Sequence, residues 1–199
     1  MVVGGTVTNV ALMGVVEMTI VAHRLVSWYP LVHLAFYQVT WFAAIMGGAA
    51  MAVWPGLLAG GLMLALHVAL SQRRVATLNR LAQATLIGAV VDMALMASGM
   101  VSFTGCACLT PPLWMVILWP CFASLFDDLL KWVPSRPAIA VVLGGIGGPL
   151  AYVGGDALGA LAFPSGSVVG LLAVGVAWAI ATGLLVLVWR VRPSTKENT

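Results

Sequence analysis

The order of apolar and charged positions divides the chain into long uncharged stretches separated by short polar ones. No Asp, Glu, Lys or Arg stands between Val26 and Gln72, between Met93 and Phe126, between Pro137 and Gly155, or between Ala157 and Trp189. A helix of about 20 apolar residues crosses the ~30 Å hydrocarbon layer of a bilayer, so the first, second and last of these runs exceed one crossing. The pattern predicts six crossings, over 31–53, 55–72, 81–103, 111–130, 137–157 and 167–189. Only Trp54-Pro55 separates the first two. Proline disfavours continuation of the incoming helix and fits the first turn of the next, which predicts a tight helical hairpin. The expected fold is an all-α polytopic transmembrane bundle: residues 1–30 form a lead-in, 31–190 the six-span membrane domain and 191–199 a tail. The lead-in is moderately apolar but holds Thr6, Thr8, Asn9 and Glu17, and its first Arg is Arg24, so it lacks the basic start of a signal peptide. An amphipathic cytoplasmic segment, an extra span holding Glu17, and an over-extended start upstream of Met13 or Met18 all fit it.

Composition agrees. Of 199 residues, 62% are hydrophobic and 8% are charged, against roughly 25% charged in soluble domains. The mean hydropathy is +1.07. A soluble domain, a disordered chain and a disulfide scaffold are excluded. The nine basic residues then set the orientation, because positive charge in short loops marks the cytoplasmic side. Arg24 precedes the first span; Arg73, Arg74 and Arg80 follow the second; Lys131 and Arg136 follow the fourth; Arg190, Arg192 and Lys196 follow the sixth. All lie on one side of a six-span arrangement, which predicts both ends in the cytoplasm. Topology thus accounts for the net charge of +3, and no nucleic-acid partner is expected. Trp54 and Trp114 fall at expected outer boundaries, and Trp28, Trp132 and Trp189 at inner ones, as interfacial belts require.

Chemistry is sparse. A Gly-x-Ser-x-Gly elbow, His-Glu-x-x-His, a Walker loop and a dinucleotide fingerprint are all absent, so no cofactor is expected. The run Gly144 to Pro149 lies in an apolar span and admits two explanations. Ala140, Gly144 and Gly148 form one small-residue ridge, and Gly147, Ala151, Gly155 and Gly159 another, as in closely packed membrane helices. Alternatively, Pro149 removes one helical hydrogen bond and leaves the Gly145 carbonyl unpaired, as in the broken helices of transporters. Packing is favoured, since glycine-rich seams are common in membrane bundles.

Asp92 is the best candidate for a functional ionisable residue. It lies midway along the third span, where an exposed Asp costs about 2.5–3.5 kcal/mol, so it should face the bundle interior. Thr85, Gly88, Gly99 and Ser102 share its face. With no Lys or Arg at that depth, Gln38, the indoles of Trp41 or Trp119, and Tyr152 are the expected donors. Trp41, Trp114 and Trp119 with Phe36, Tyr37, Phe42 and Phe122 would cluster if spans one and four are adjacent. Gln38, Trp41, Trp114, Trp119, Gly148, Pro149 and Tyr152 are accordingly the candidate substrate-binding residues. Pro120 should kink span four near Val116. Cys106 and Cys108 lie in an uncharged outer loop, where a disulfide, ordinary thiols, or a soft-metal pair with Met100 and Met115 are conceivable. Cys121 reads as a small buried hydrophobe. His23, His33 and His67 show no ligand spacing, and His67 reads as a satisfied interior histidine, so no metal site is expected. Asp127 and Asp128 read as a solvated interfacial patch, because consecutive helical residues point about 100° apart.

Four blocks carry a resemblance: His33 to Phe42 with its FYQVTWF core, Asp92 with the run to Phe103, PLWMVILWPCFA at 112–123, and GGIGGPLAYVGG at 144–155. Together they resemble, over about 33–190, a family of uncharacterised bacterial inner-membrane proteins classed as a domain of unknown function. The pattern departs from that family at His33, Asp127 and Asp128, which speaks against a role for these three. The resemblance implies the bacterial inner membrane and an association with fatty-acid-modifying enzymes of the cyclopropane-synthase type. Three function classes follow. The first is handling or modification of membrane lipid acyl chains, alone, with a lipid-modifying enzyme, or as an oligomer. The second is a small secondary transporter with a broken fifth helix and Asp92 as coupling site; the third is a structural or assembly partner. Pro55 and Pro149 are each followed by four residues and Gly-Gly, but neighbouring aromatic landmarks do not keep that offset, which weakens a repeat and with it the transporter. Lipid handling ranks first. Whether the chain is an enzyme is left open by the residues.

Overall fold

The computed structural model describes residues 28–106 and 110–190. Most of the lead-in, His23, Cys108 and the tail lie outside the described residues. The helices are α1 (Trp28–Ala49), α2 (Trp54–Leu70), α3 (Arg74–Ala97), α4 (Leu113–Val116), α5 (Leu118–Ser124), α6 (Pro137–Ala157) and α7 (Ser167–Arg190). Four of them, α1, α3, α6 and α7, are long and apolar enough to cross a membrane; α2 and the α4–α5 stretch are shorter apolar helices.

Their surfaces are inverted relative to a soluble bundle. Along α7, Val168, Leu172, Val176, Ile180, Leu184 and Leu187 are exposed, while Thr182 and Trp178 are buried on the opposite face. On α3, Leu78, Leu86, Val90 and Met93 face outward and Thr77 and Asp92 inward. A helix that shows its most apolar stripe to its surroundings is built for a lipid environment.

The α1–α2 hairpin forms where expected, with Pro55 in the first turn of α2. Its close contact depends on Gly56, where a Cβ would stand 2.7 Å from the Cα of Ala44. The third crossing is displaced by several residues. Expected over 81–103, the helix instead runs Arg74–Ala97, and the chain leaves it through Gly99 at φ +69°. Beyond that turn, β1 (Ser102–Phe103) pairs antiparallel with β2 (Leu161–Ala162), a ribbon that ties the α3–α4 connection to the α6–α7 connection. The fourth crossing is divided. α4 and α5 part at Ile117, next to the Val116 carbonyl that Pro120 cannot satisfy, and a 3₁₀ turn over Leu125–Asp127 ends it.

Connections sort to two ends. At one, Met51 touches Gly105, Trp114 lies against Gly48, and Ser165 Oγ donates to the Gly99 carbonyl. At the other, Arg80 and Trp189 reach Asp127, and Arg190 Nε donates to the Pro134 carbonyl at 2.5 Å. Arg73, Arg74, Lys131 and Arg136 belong to segments of this second end.

α6 is one uninterrupted helix from Pro137 to Ala157 with Pro149 inside it. This agrees with the favoured packing explanation and removes the broken-helix alternative. The carbonyl freed by Pro149 lies beside Gly175 of α7, where a Cβ would meet the Gly145 oxygen at 3.1 Å and the Pro149 ring at 3.4 Å. Close packing, rather than a helix break, absorbs the proline.

Candidate functional site

Asp92 is completely buried, at 0% exposure. A Cβ on Gly88, one turn earlier on α3, would stand 1.9 Å from Trp119 Cγ, so the absent side chain is what lets the α5 indole lie against α3. From there Trp119 Nε1 donates to Asp92 Oδ2 at 2.8 Å, and the Tyr152 hydroxyl from α6 donates to Oδ1. Two of the four donors expected from sequence are therefore its partners. One carboxyl group joins α3, α5 and α6 without a cation.

Trp178 of α7 completes this centre. Its ring stacks on Trp119 with centroids 4.4 Å apart and an interplanar angle of 26°, and meets Phe122 and Tyr152 edge-on. Sequence reasoning missed it, because nothing but its type marks a Trp inside the uncharged run of α7.

Two apolar spaces adjoin. A small chamber touches Trp119 and Tyr152 together with Trp41, Met115 and Trp178. Tyr37, Trp41, Ala151 and Trp178 also border a second cavity of about 500 Å³, floored by Gly144 and Gly148 and bounded by Phe122. Its rim includes Gln38, Gly147 and Leu150, which are exposed among outward-facing apolar residues, so it opens sideways from the bundle. Trp41, Gln38 and Gly148 thus line the cavity. Trp114 and Pro149 are placed elsewhere: Trp114 is buried edge-on to Phe103 at the ribbon end, and Pro149 packs on Gly175. Trp28, Trp54 and Trp132 are exposed, as belt residues are, whereas Trp114 and Trp189 are buried in protein contacts. Cys121 is buried, its thiol 3.8 Å from the Gly60 carbonyl. Met115 is a core residue beside Trp119.

A second polar cluster occupies the basic end. His33 and His67 are both buried, with rings 5.2 Å apart. His67 Nε2 lies 3.1 Å from Asp127 Oδ2, while Arg80 at 3.3 Å and Trp189 Nε1 at 2.7 Å both donate to Oδ1. His33 Nδ1 meets Asp128 Oδ2, and its Nε2 lies 3.1 Å from Ser124 Oγ. This corrects the solvated patch. The 3₁₀ turn and the change to φ −137° at Asp128 aim the two carboxylates at different histidines instead of at solvent. It also corrects the satisfied His67, whose Nδ1 is buried without a hydrogen-bond partner among the described residues. His33, His67 and Asp128 offer ligand atoms within 4.8 Å of one another. Separations of 34 to 95 residues hid this grouping from sequence spacing.

The family model described as "Protein of unknown function (DUF2878)" matches residues 30–184. No curated protein and no solved structure matches the chain.

Proposed function

Since the chain belongs to this family of unknown function, its activity has to be argued from its own geometry, and we propose that it is a multi-pass inner-membrane protein that handles the acyl chain of a membrane lipid. The observation that carries this reading is the sideways-opening apolar cavity of about 500 Å³ between α1, α5 and the turns that follow it, α6 and α7. Its size falls in the range of small-molecule sites, and its aromatic lining suits an alkyl chain better than a polar solute. Trp41 and Trp178 would grip the chain. Tyr152, the partner of Asp92, lines the small chamber that shares Tyr37, Trp41, Ala151 and Trp178 with this cavity. A lipid-modifying enzyme acting on the presented chain, or a second copy of this protein, is the partner this reading admits. The transporter alternative has lost the helix break on which it rested.

Gly147 supplies the test, because a Cβ there meets nothing within 4 Å, while the position lines the cavity. Gly147→Phe should fill the space without displacing the fold. Lipid profiles of cells lacking the chain should show an altered acyl species, restored by the wild type and not by an equally abundant Gly147→Phe. Identical profiles with and without the chain would refute lipid handling.

A further inference from the structure

The cluster at the basic end holds a buried imidazole nitrogen, His67 Nδ1, that no hydrogen bond among the described residues accounts for. We propose that His33, His67 and Asp128 bind one divalent transition-metal ion, with Asp127 orienting His67 from behind. This inference is independent of the acyl-chain reading.

Asp127, fixed by Arg80 and Trp189, accepts from His67 Nε2–H. That leaves His67 Nδ1 as the nitrogen available to a ligand, in a side chain only 7% exposed and without a hydrogen-bond partner among the described residues. A buried nitrogen of this kind requires an unseen partner. A carboxylate behind a histidine whose other nitrogen is bare is the usual arrangement around metal-ligating imidazoles. His33 lies beside His67, with Nε2 3.1 Å from Ser124 Oγ and Nδ1 paired with Asp128 Oδ2. An ion held by His67 Nδ1 would take His33 and Asp128 as its further ligands in place of their contact with each other.

Asp128 supplies a carboxylate whose ion pair is with His33 and with no Lys or Arg among the described residues, whereas Arg80 is held by Asp127. Bond lengths of about 2.0–2.2 Å set donors around an ion roughly 3–4 Å apart. The observed 4.8 Å limit is therefore closed by small side-chain movements. Two imidazoles and one carboxylate suit Zn²⁺ or Fe²⁺ better than the oxygen-preferring Mg²⁺ or Ca²⁺. Three protein ligands leave a coordination position open, and His67 and Asp128 border a cavity of about 670 Å³ that also touches Tyr29, Ser71, Arg73 and Arg80.

The test uses the full chain, purified in detergent without a polyhistidine tag, stripped with a chelator and titrated with Co²⁺ and Zn²⁺. Wild type should bind one equivalent, with structured visible bands for Co²⁺. His33→Gln and His67→Gln should each weaken binding at least 100-fold, Asp127→Asn should weaken it 10- to 100-fold, and the exposed Gln83→Ala should not change it. Absence of saturable binding to wild type, or equal binding by the His33→Gln/His67→Gln double variant, would overturn the proposal. Should the variants fold poorly, X-ray absorption of the Zn²⁺-loaded wild type decides: imidazole scattering supports the site, and an all-oxygen shell overturns it.

Discussion

A single carboxyl group shows how much one residue can organise inside an apolar bundle. Asp92 accepts from both Trp119 and Tyr152, and leaving either donor unpaired in this interior costs about 1–3 kcal/mol. Asp92→Leu should therefore lower unfolding stability by about 2–5 kcal/mol, measured by denaturant titration in detergent. Asp92→Asn should cost less than about 1.5 kcal/mol, since the amide oxygen still accepts from Trp119 and the Tyr152 hydroxyl can turn to accept from the amide NH₂. Equal losses in the two variants would contradict this account of the contacts. Gly88→Ala should cost about 1–3 kcal/mol by pushing Trp119 away. Combined with Asp92→Leu, the losses should fall short of additive, because both act through the same indole. The inward direction of Asp92 and two of its donors were legible in the sequence, because few polar side chains are available at that depth to satisfy a carboxyl. Trp178 was not legible, since an aromatic residue in an apolar helix carries no sign of which face it takes. The His33–Asp128 and His67–Asp127 pairs were equally hidden, because they exist only once α1, α2 and the α5 terminus converge.

Among the elements, α6 and α7 show what its glycines are for. A Cβ on Gly144 would stand 1.8 Å from Thr182 Oγ1, and one on Gly148 2.2 Å from Trp178 Cγ, so the ridge Ala140–Gly144–Gly148 is the contact seam. Gly147 has open space instead. Gly144→Leu and Gly148→Leu should each destabilise by about 1–3 kcal/mol or abolish folding through overpacking. Gly147→Ala should be neutral or stabilising by up to about 1 kcal/mol, since it removes a helical glycine without a clash. Thermal unfolding of the three purified variants checks the order, and a Gly147→Ala as damaging as Gly148→Leu would refute the seam. Periodicity of four picked out this ridge correctly, yet it gave equal standing to Gly147–Ala151–Gly155–Gly159, which faces no single partner. The β1–β2 ribbon was beyond reach, since two-residue strands leave no alternating pattern to read.

For the molecule as a whole, hydropathy marked the apolar helical bundle, and charge marked one of its ends. Run lengths suggested six comparable crossings; among the described residues four helices have the length and apolarity for one, because proline and the 3₁₀ turn shorten the fourth and α2 ends at Leu70. The basic residues of the described chain nevertheless gather at one end, opposite the ribbon. In a Cys-free background, single cysteines at Thr110 and Ser165 should react with a membrane-impermeant reagent in intact cells, and one at Gln72 should not. Labelling of Gln72 equal to that of Ser165 would reverse the orientation. The proposed acyl-chain ligand rests on an outward apolar surface and a sideways cavity lined by aromatic residues. The most direct measurement is photo-crosslinking of the purified protein with a phospholipid bearing a photoreactive group along its acyl chain, with the adducts mapped by mass spectrometry. The account predicts adducts concentrated on cavity residues such as Tyr37, Trp41, Phe122 and Leu150, and lost in Gly147→Phe. Adducts spread evenly over the outward faces of α2, α3 and α7, and unchanged by Gly147→Phe, would contradict it.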